Sequence, residues 1–269
     1  MLIVAKAGGR LIENGLPSDI IKDIKTIIAS NKLILVHGGG VEVTDIASKL
    51  GKEQKFITSP NGFRSRYTDK ETVEIYTMVM AGKLNKQIVT NLQSMGVNAL
   101  GLSGLDGQLI KANRKKKLII IDNRGRKRAI DGGYTGKIVS VNSKLINLIM
   151  SGDYTPVISP IALSEEFEPL NVDGDRVAAY ISGFLKADKL VLMTDVEGLY
   201  LDEKLITKLS VLEAKEILHQ IGPGMITKVY AAMEALKMGV KEVIITSGLS
   251  SKPISSAIEH KHGTVISYE

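Results

Sequence analysis

Cysteine is absent from the 269 residues, and with it go disulfides, thiolate nucleophiles and cysteine-held metals. Histidine is scarce: His37, His219, His260 and His262 are the four, and none forms an HExxH pair that would hold zinc. A metal site built by the chain itself is therefore not expected. No apolar run approaches the roughly 20 residues that a membrane-spanning helix needs. The opening Met1-Leu2-Ile3-Val4 has no basic leader followed by a cleavage site. The expectation is a cytoplasmic protein that does not engage membranes. Aromatic residues are few, at 4%, and none interleaves with the most basic tract, which argues against stacking of nucleic-acid bases. No nucleic-acid partner is expected.

What remains is ordinary globular composition, 44% hydrophobic and 24% charged, long enough for one large core or two lobes. The formal charge of +6 is unevenly spread. Between Lys111 and Arg128 the bases are Lys111, Arg114, Lys115, Lys116, Lys117, Arg124, Arg126, Lys127 and Arg128, against the single acid Asp122. A lysine-rich surface explains part of this, and an acidic protein partner would explain its clustering.

Short β-rich runs alternate with amphipathic helices, the pattern of a mostly parallel sheet covered on both faces. Strands are expected at 2–5, 33–36, 97–102, 155–159, 189–194, 242–246 and 264–266. Helices are expected at 17–30, 41–50, 143–150, 173–185, 211–219, 224–238 and 253–259, with one long helix capped by Asp69 and running to about Met95. Runs 108–112 and 118–122 read as a hairpin joined by the basic turn 113–117. The acidic stretch 162–170 reads as irregular. It is placed as the boundary between an N-terminal lobe, 1–165, and a C-terminal lobe, 166–269.

Two glycine clusters directly follow strands: Lys6-Ala-Gly8-Gly9 and His37-Gly38-Gly39-Gly40. An open α/β sheet places its ligands there, and glycine lets backbone N–H groups approach a phosphate. Either cluster alone could be a tight turn. Neither is a Walker A loop or a GxGxxG fingerprint. Lys6, at the end of an apolar strand, either snorkels to solvent or meets an anion such as a phosphoryl group in transfer. Asp173 and Asp175, in Leu170-Asn171-Val-Asp-Gly-Asp175, open a helix; one acid can cap it, and the second is free to position lysines. Gly222-Pro-Gly-Met225-Ile-Thr-Lys228 brings a lysine to another helix start, suited to the leaving side of phosphoryl transfer. Thr194-Asp195-Val196-Glu-Gly198-Leu-Tyr200 follows a buried strand and fits a nucleotide edge or a plain turn. Arg64 and Arg66, before the long helix, fit a carboxylate fork or a solvated surface.

Taken in order, Lys-Ala-Gly-Gly, His-Gly-Gly-Gly, Gly-Phe-Arg, Asn-Val-Asp-Gly-Asp, Thr-Asp-Val-Glu-Gly and Gly-Met-Ile-Thr-Lys resemble the amino-acid kinase family over the whole chain, in its acetylglutamate kinase branch. The resemblance implies a three-layer αβα sandwich whose N-terminal lobe binds the acceptor and dimerises, while the C-terminal lobe binds ATP. It implies that Lys6 and Lys228 stabilise the phosphoryl group and that Asp175 orients them. By the same resemblance, the N–H groups of Gly8, Gly9, Gly38 and Gly39 hold phosphate oxygens. Arg64 and Asn171 take the acceptor, beside Gly38 and Gly39. Thr194, Asp195, Val196, Gly198, Tyr200 and Met225 line the nucleotide, and magnesium bridges the ATP phosphates. The product would be an acyl phosphate, formed by a carboxylate already ionised at neutral pH, so no general base is needed.

Within the family the chain looks most similar to archaeal-type kinases acting on glutamate or α-aminoadipate carried on an acidic amino-group carrier protein, in lysine and arginine biosynthesis. Ser65-Arg66-Tyr67-Thr68-Asp69 departs from the Arg-Val-Thr that usually follows in acetylglutamate kinases. Arg114, Lys115, Lys116 and Lys117 offer a docking surface for the carrier. The alternative is a kinase of free N-acetylglutamate. A non-catalytic regulator is the third reading, opposed by the presence of both lysines and Asp175. Arginine-inhibited relatives carry an extra N-terminal helix; this chain begins on its first strand, so a homodimer without that feedback is expected.

Overall fold

The computed structural model describes residues 1–268. Eight strands form one sheet: Leu2–Ala7 (β1), Lys32–His37 (β2), Ala99–Ser103 (β3), Thr155–Ser159 (β4), Lys189–Thr194 (β5), Lys208–Ser210 (β6), Glu242–Ser247 (β7) and Thr264–Ser267 (β8). Their order is β6-β8-β7-β5-β1-β2-β4-β3. Only the β7–β8 pairing is antiparallel. Helices Ser18–Ile28 (α1), Gly40–Lys49 (α2), Lys70–Thr77 (α3), Asn85–Ser94 (α4), Ser143–Ser151 (α5), Gly174–Leu185 (α6), Val211–Glu216 (α7), Met225–Lys237 (α8) and Pro253–Ile258 (α9) complete the main elements.

Side chains alternate across β1, and this splits the core into layers. Val4 packs with Val177 and Ala178 of α6 and Val229 of α8. Ile3, Ala5 and Ala7 pack with Ile20 and Ile24 of α1, Ile88 of α4 and Ile254 of α9. A strand covered on both faces must be apolar throughout, which is why Ile3–Ala7 are all buried, Lys6 included. The result is the expected three-layer αβα sandwich with a mostly parallel sheet.

From β1 the chain builds β2, β4 and β3 on one side, and β5, β7, β8 and β6 on the other. The carboxyl ends of β1 and β5 therefore flank a topological switch point, the place where open α/β sheets bind ligands.

Three expectations need correction. Strands Ile110–Arg114 and Lys117–Ile121 do not pair with each other. The first pairs antiparallel with Gly136–Val141 and the second with Lys127–Asp131. Alternation marks a strand without naming its partner, and the true hairpin turn is Asp122–Arg126, with Gly125 at φ +75°. The stretch 162–170 is not irregular: Ile161–Leu163 and Pro169–Asn171 are antiparallel strands, and the 165/166 boundary falls in the turn between them. The long helix is divided. Asp69 does cap α3, accepting from Thr72 N–H at 2.8 Å, but Met78–Leu84 is π-helical before α4 resumes. Apolar periodicity does not register the one-residue slip of a π turn.

Candidate active site

Three elements deliver the central charges. Lys6 is the last residue but one of β1, Asp175 lies in the first turn of α6, and Lys228 in the first turn of α8. Lys6 Nζ stands 2.8 Å from Asp175 Oδ1, and Lys228 Nζ donates to Asp175 Oδ2 at 3.0 Å. The side chains are 8%, 5% and 12% exposed. Burial alone would raise the Asp175 pKa, but Lys6 and Lys228 outweigh it and hold the carboxyl at about 2. Burial also works against the Lys228 ammonium, and Asp175 more than offsets it, so its pKa is raised. Asp175 and Lys228 are therefore both ionised at neutral pH. Asp173 caps α6 instead, accepting from Arg176 N–H at 2.9 Å.

The glycine loops meet backbone to backbone beside this cluster. A Cβ on Gly38 would stand 2.7 Å from the Gly9 nitrogen, and one on Gly39, at φ +146°, would strike Leu84. Close approach, not turning alone, requires glycine here. The Gly8 N–H donates to Met193 O at 3.1 Å and the Gly38 N–H to Ala7 O at 2.9 Å. Of the four amides assigned to phosphate, those of Gly9 and Gly39 are the ones not already spent on these strand carbonyls.

His37 explains how the second loop is held. The ring is fully buried, and burial lowers its pKa to about 4. Asn85 Nδ2 can only donate, so His37 Nε2, at 3.3 Å, accepts. His37 Nδ1 lies 2.8 Å from Gly38 O, which can only accept, so Nδ1 carries the proton. Both contacts require the same neutral tautomer. Asn85 is presented by the start of α4 directly after the π turn and also donates to Val157 O at 2.9 Å.

A cavity of about 560 Å³ opens beside the cluster, lined by Lys6, Gly9, Gly38, Gly39, Arg64 and Asn171 among others. Arg64 sits on Arg64–Arg66, paired with Phe56–Thr58, and lies 4.9 Å over the Phe56 ring. Of the two arginines, read as a carboxylate fork or a solvated surface, Arg66 takes neither role. Arg66 is buried and spends its guanidinium on Gly40 O at 2.6 Å, Thr44 Oγ1 at 2.9 Å and Gln54. Asn171 Nδ2 donates to Thr68 Oγ1 at 2.9 Å. At the hairpin tip, Phe63 packs edge-on against Tyr230 of α8, with centroids 5.5 Å apart.

The residues read as nucleotide-binding lie outside this cavity, after β5 and at the start of α8. Asp195 is close enough to act on the Lys228 charge. Asp195 pairs with Arg10 at 2.8 Å and accepts from Thr194 Oγ1 at 3.0 Å; these contacts, Arg10 first, lower its pKa. Val196 and Tyr200 are exposed, and Tyr200 OH donates to Glu197 at 2.9 Å. Gly198 has a packing role, since a Cβ there would stand 2.6 Å from Thr264 Oγ1. Met225 begins α8 and is half-buried.

The basic tract divides. Arg114 is engaged with Gly133 O, Glu168 and the Tyr134 ring. Lys115 lines the cavity, while Lys116 and Lys117 are exposed. Sequence reading missed Arg10, and it missed Arg176, which also lines the cavity and grips Glu234 at 2.7 and 2.5 Å. Their partners lie 185 and 58 residues away, so no local pattern announces them. A larger groove of about 910 Å³ runs along the outer strands past Lys208, Lys241 and His260, and holds none of the predicted site residues. Among the described residues no helix is long and apolar enough to cross a membrane, and no cluster of three or more His, Asp or Glu side chains would hold a metal ion.

Residues 1–247 match the amino acid kinase family profile. A LysW-aminoadipate/LysW-glutamate kinase of Sulfolobus acidocaldarius is 49% identical over 266 residues, covering 98% of this chain and 100% of that one. A Nitrosopumilus maritimus protein, provisionally given the same designation, is 56% identical over 268 residues, 100% of each. Among solved structures, N-acetylglutamate synthase of Neisseria gonorrhoeae superposes with a TM-score of 0.80 at 22% identity, over 100% of this chain and 59% of that one. Carbamate kinase of Giardia lamblia bound to AMP-PNP superposes at 0.67 and 16% identity, over 99% and 98%. Sequence, fold and the two-lysine cluster agree: the chain belongs to the amino acid kinase family.

Proposed function

We propose that the chain is an ATP-dependent kinase that phosphorylates the side-chain carboxylate of aminoadipate or glutamate whose amine is blocked by a carrier protein, in lysine and arginine biosynthesis. The observation that carries the chemistry is the buried Lys6–Asp175–Lys228 cluster. Two ammonium groups and one carboxylate leave a net positive charge in a place shielded from water. A phosphoryl group in transfer spreads negative charge over its oxygens, and preorganised cations stabilise that charge.

Lys6, on the β1 side next to the cavity, suits the acceptor end. Lys228, on the α8 side near Asp195, suits the nucleotide end. Asp175 fixes their spacing. The Gly9 and Gly39 amides supply uncharged donors to the oxygens. Arg64 and Asn171 position the acceptor, whose carboxylate is already ionised, so no residue need remove a proton. A magnesium ion entering with the nucleotide would add positive charge at its phosphates, and no carboxylate or histidine cluster among the described residues would hold it. The C-terminal half holds ATP, the N-terminal half holds the acceptor and pairs two copies, and the enzyme works in the cytoplasm. The carrier designation of the 49% identical relative supports the acceptor assigned here.

The deciding experiment traps acyl phosphate as hydroxamate and compares carrier-linked glutamate and aminoadipate with free N-acetylglutamate. Carrier-linked acceptors should be turned over with kcat/KM at least tenfold higher. Preference for the free acetylated acid would assign the alternative activity. Lys228→Ala should lower kcat by about 10²–10³ with the fold retained; near-normal turnover would sink the kinase assignment.

A further inference from the structure

Lys115 is the only residue of the 114–117 tract that lines the active-site cavity. It is half-buried, and its ammonium has no hydrogen-bond or ion-pair partner among the described residues. The charges that act on it are the cations Arg176 and Lys137 and the carboxylate of Asp173. Arg176 is already matched by Glu234, and Asp173 is engaged as the cap of α6. A cation held partly out of water without a counter-charge is costly, and such sites are completed by a ligand.

A second group on the same wall is also incomplete. Thr135 Oγ1 is buried with no hydrogen-bond partner. Thr135 faces Lys115 across the extension of an antiparallel ladder: Arg114 pairs with Gly136, and the Lys115 N–H donates to Thr135 O at 2.9 Å. On its other side Thr135 bridges to Asn171. Lys115, Thr135 and Asn171 therefore form a row across three neighbouring segments. The Asn171 end leads within three residues to Gly174, where a Cβ would lie 3.4 Å from Lys6 Cε. At the Lys115 end, none of Lys6, Asp175 and Lys228 is among the charges that act on the ammonium. An acceptor held at Asn171 by its blocked amine would extend its blocking group along this row.

We infer that Lys115 and Thr135 form an anion subsite that binds a carboxylate borne by the group blocking the acceptor's amine. This rests on the kinase reading above and deepens it. The ammonium supplies charge and the hydroxyl supplies a donor, the pair a carboxylate needs. An acetyl group offers neither oxygen charge nor length, and would leave both groups unpaired. Sites that leave buried polar groups unpaired reject the smaller analogue strongly. The subsite thus selects for an acceptor attached to an acidic residue.

Two free acceptors test this: N-succinylglutamate, whose blocking group ends in a carboxylate, and N-acetylglutamate, whose blocking group does not. Wild-type kcat/KM should favour the succinyl compound at least tenfold. Lys115→Met should bring the ratio near unity, Thr135→Val should reduce it severalfold, and Lys115→Arg should keep most of it. A ratio that Lys115→Met leaves unchanged overturns the subsite. Calorimetric binding of N-succinylglutamate without nucleotide separates the two claims. If neither free acceptor is phosphorylated, the kinase reading is judged by the carrier-linked acceptors alone, and binding of N-succinylglutamate weakened tenfold by Lys115→Met still supports the subsite. Binding equal in wild type and Lys115→Met overturns it.

Discussion

Asp175 holds Lys6 and Lys228 at 2.8 and 3.0 Å, so it sets the gap between them, and it raises the pKa of Lys228 against burial. Replacing it with asparagine keeps the shape and removes the counter-charge. Two ammonium groups would then face each other in a buried place, and at least one would move or lose its proton. Asp175→Asn should lower kcat by about 10²–10³, and the residual rate should recover in part as the pH falls and the repelled lysine regains its proton. Steady-state kinetics from pH 6 to 9 read both effects, and a wild-type pH profile would contradict the role. His37 acts one step back, as a positioning residue. His37→Leu removes the contact to Gly38 O and should lower kcat more than it raises KM for ATP. His37→Asn, which can still donate to that carbonyl, should recover part of the loss; equal losses in the two variants would count against positioning. Lys6, Asp175 and Lys228 were legible in the sequence because each sits where an element starts or ends. The histidine's tautomer was not, because it depends on Asn85, 48 residues on and turned inward by a π turn.

At the scale of elements, capping shows the same division. Asp69 was legible as a cap because it stands beside the helix it serves. The cap of α9 was not. Lys252 precedes that helix at φ +53° and contributes no side-chain bond. Its first N–H groups, those of Ile254 and Ser255, donate instead to Asp23 Oδ2 on α1 at 2.7 and 2.9 Å, 231 residues away for the first. Asp23 is 1% exposed. Asp23→Ala strands these donors in the core between α1 and α9 and should cost about 2 kcal/mol or more. Urea unfolding of wild type and variant gives the difference directly, and Asp23→Asn should lose less. The mispaired hairpin has the same origin: strand character is local, but the choice of partner is made by the rest of the chain.

Over the whole molecule, the seam between β1 and β5 matters most. Five registered pairs, Ile3↔Lys189 to Ala7↔Met193, join the strand that carries Lys6 to the half that carries Asp175 and Lys228. The order of motifs along the chain was enough to foresee that these groups meet. It did not foresee that the four glycines share the work unequally, since two amides are spent on closing the loops against β1 and β5. The net positive charge left between Lys6, Asp175 and Lys228 also reaches beyond catalysis, to how long each copy of the protein lasts. Elements from both halves converge on a charge that an anion balances, so a nucleotide bound there, as proposed above, would fasten them together. At a concentration one hundred times Kd that linkage is worth about 2.7 kcal/mol against unfolding. Limited proteolysis should therefore cut the protein several times more slowly with ATP present, and Asp175→Asn should show a different dependence. A cell short of ATP would clear this enzyme sooner, matching its supply of biosynthetic catalyst to its energy.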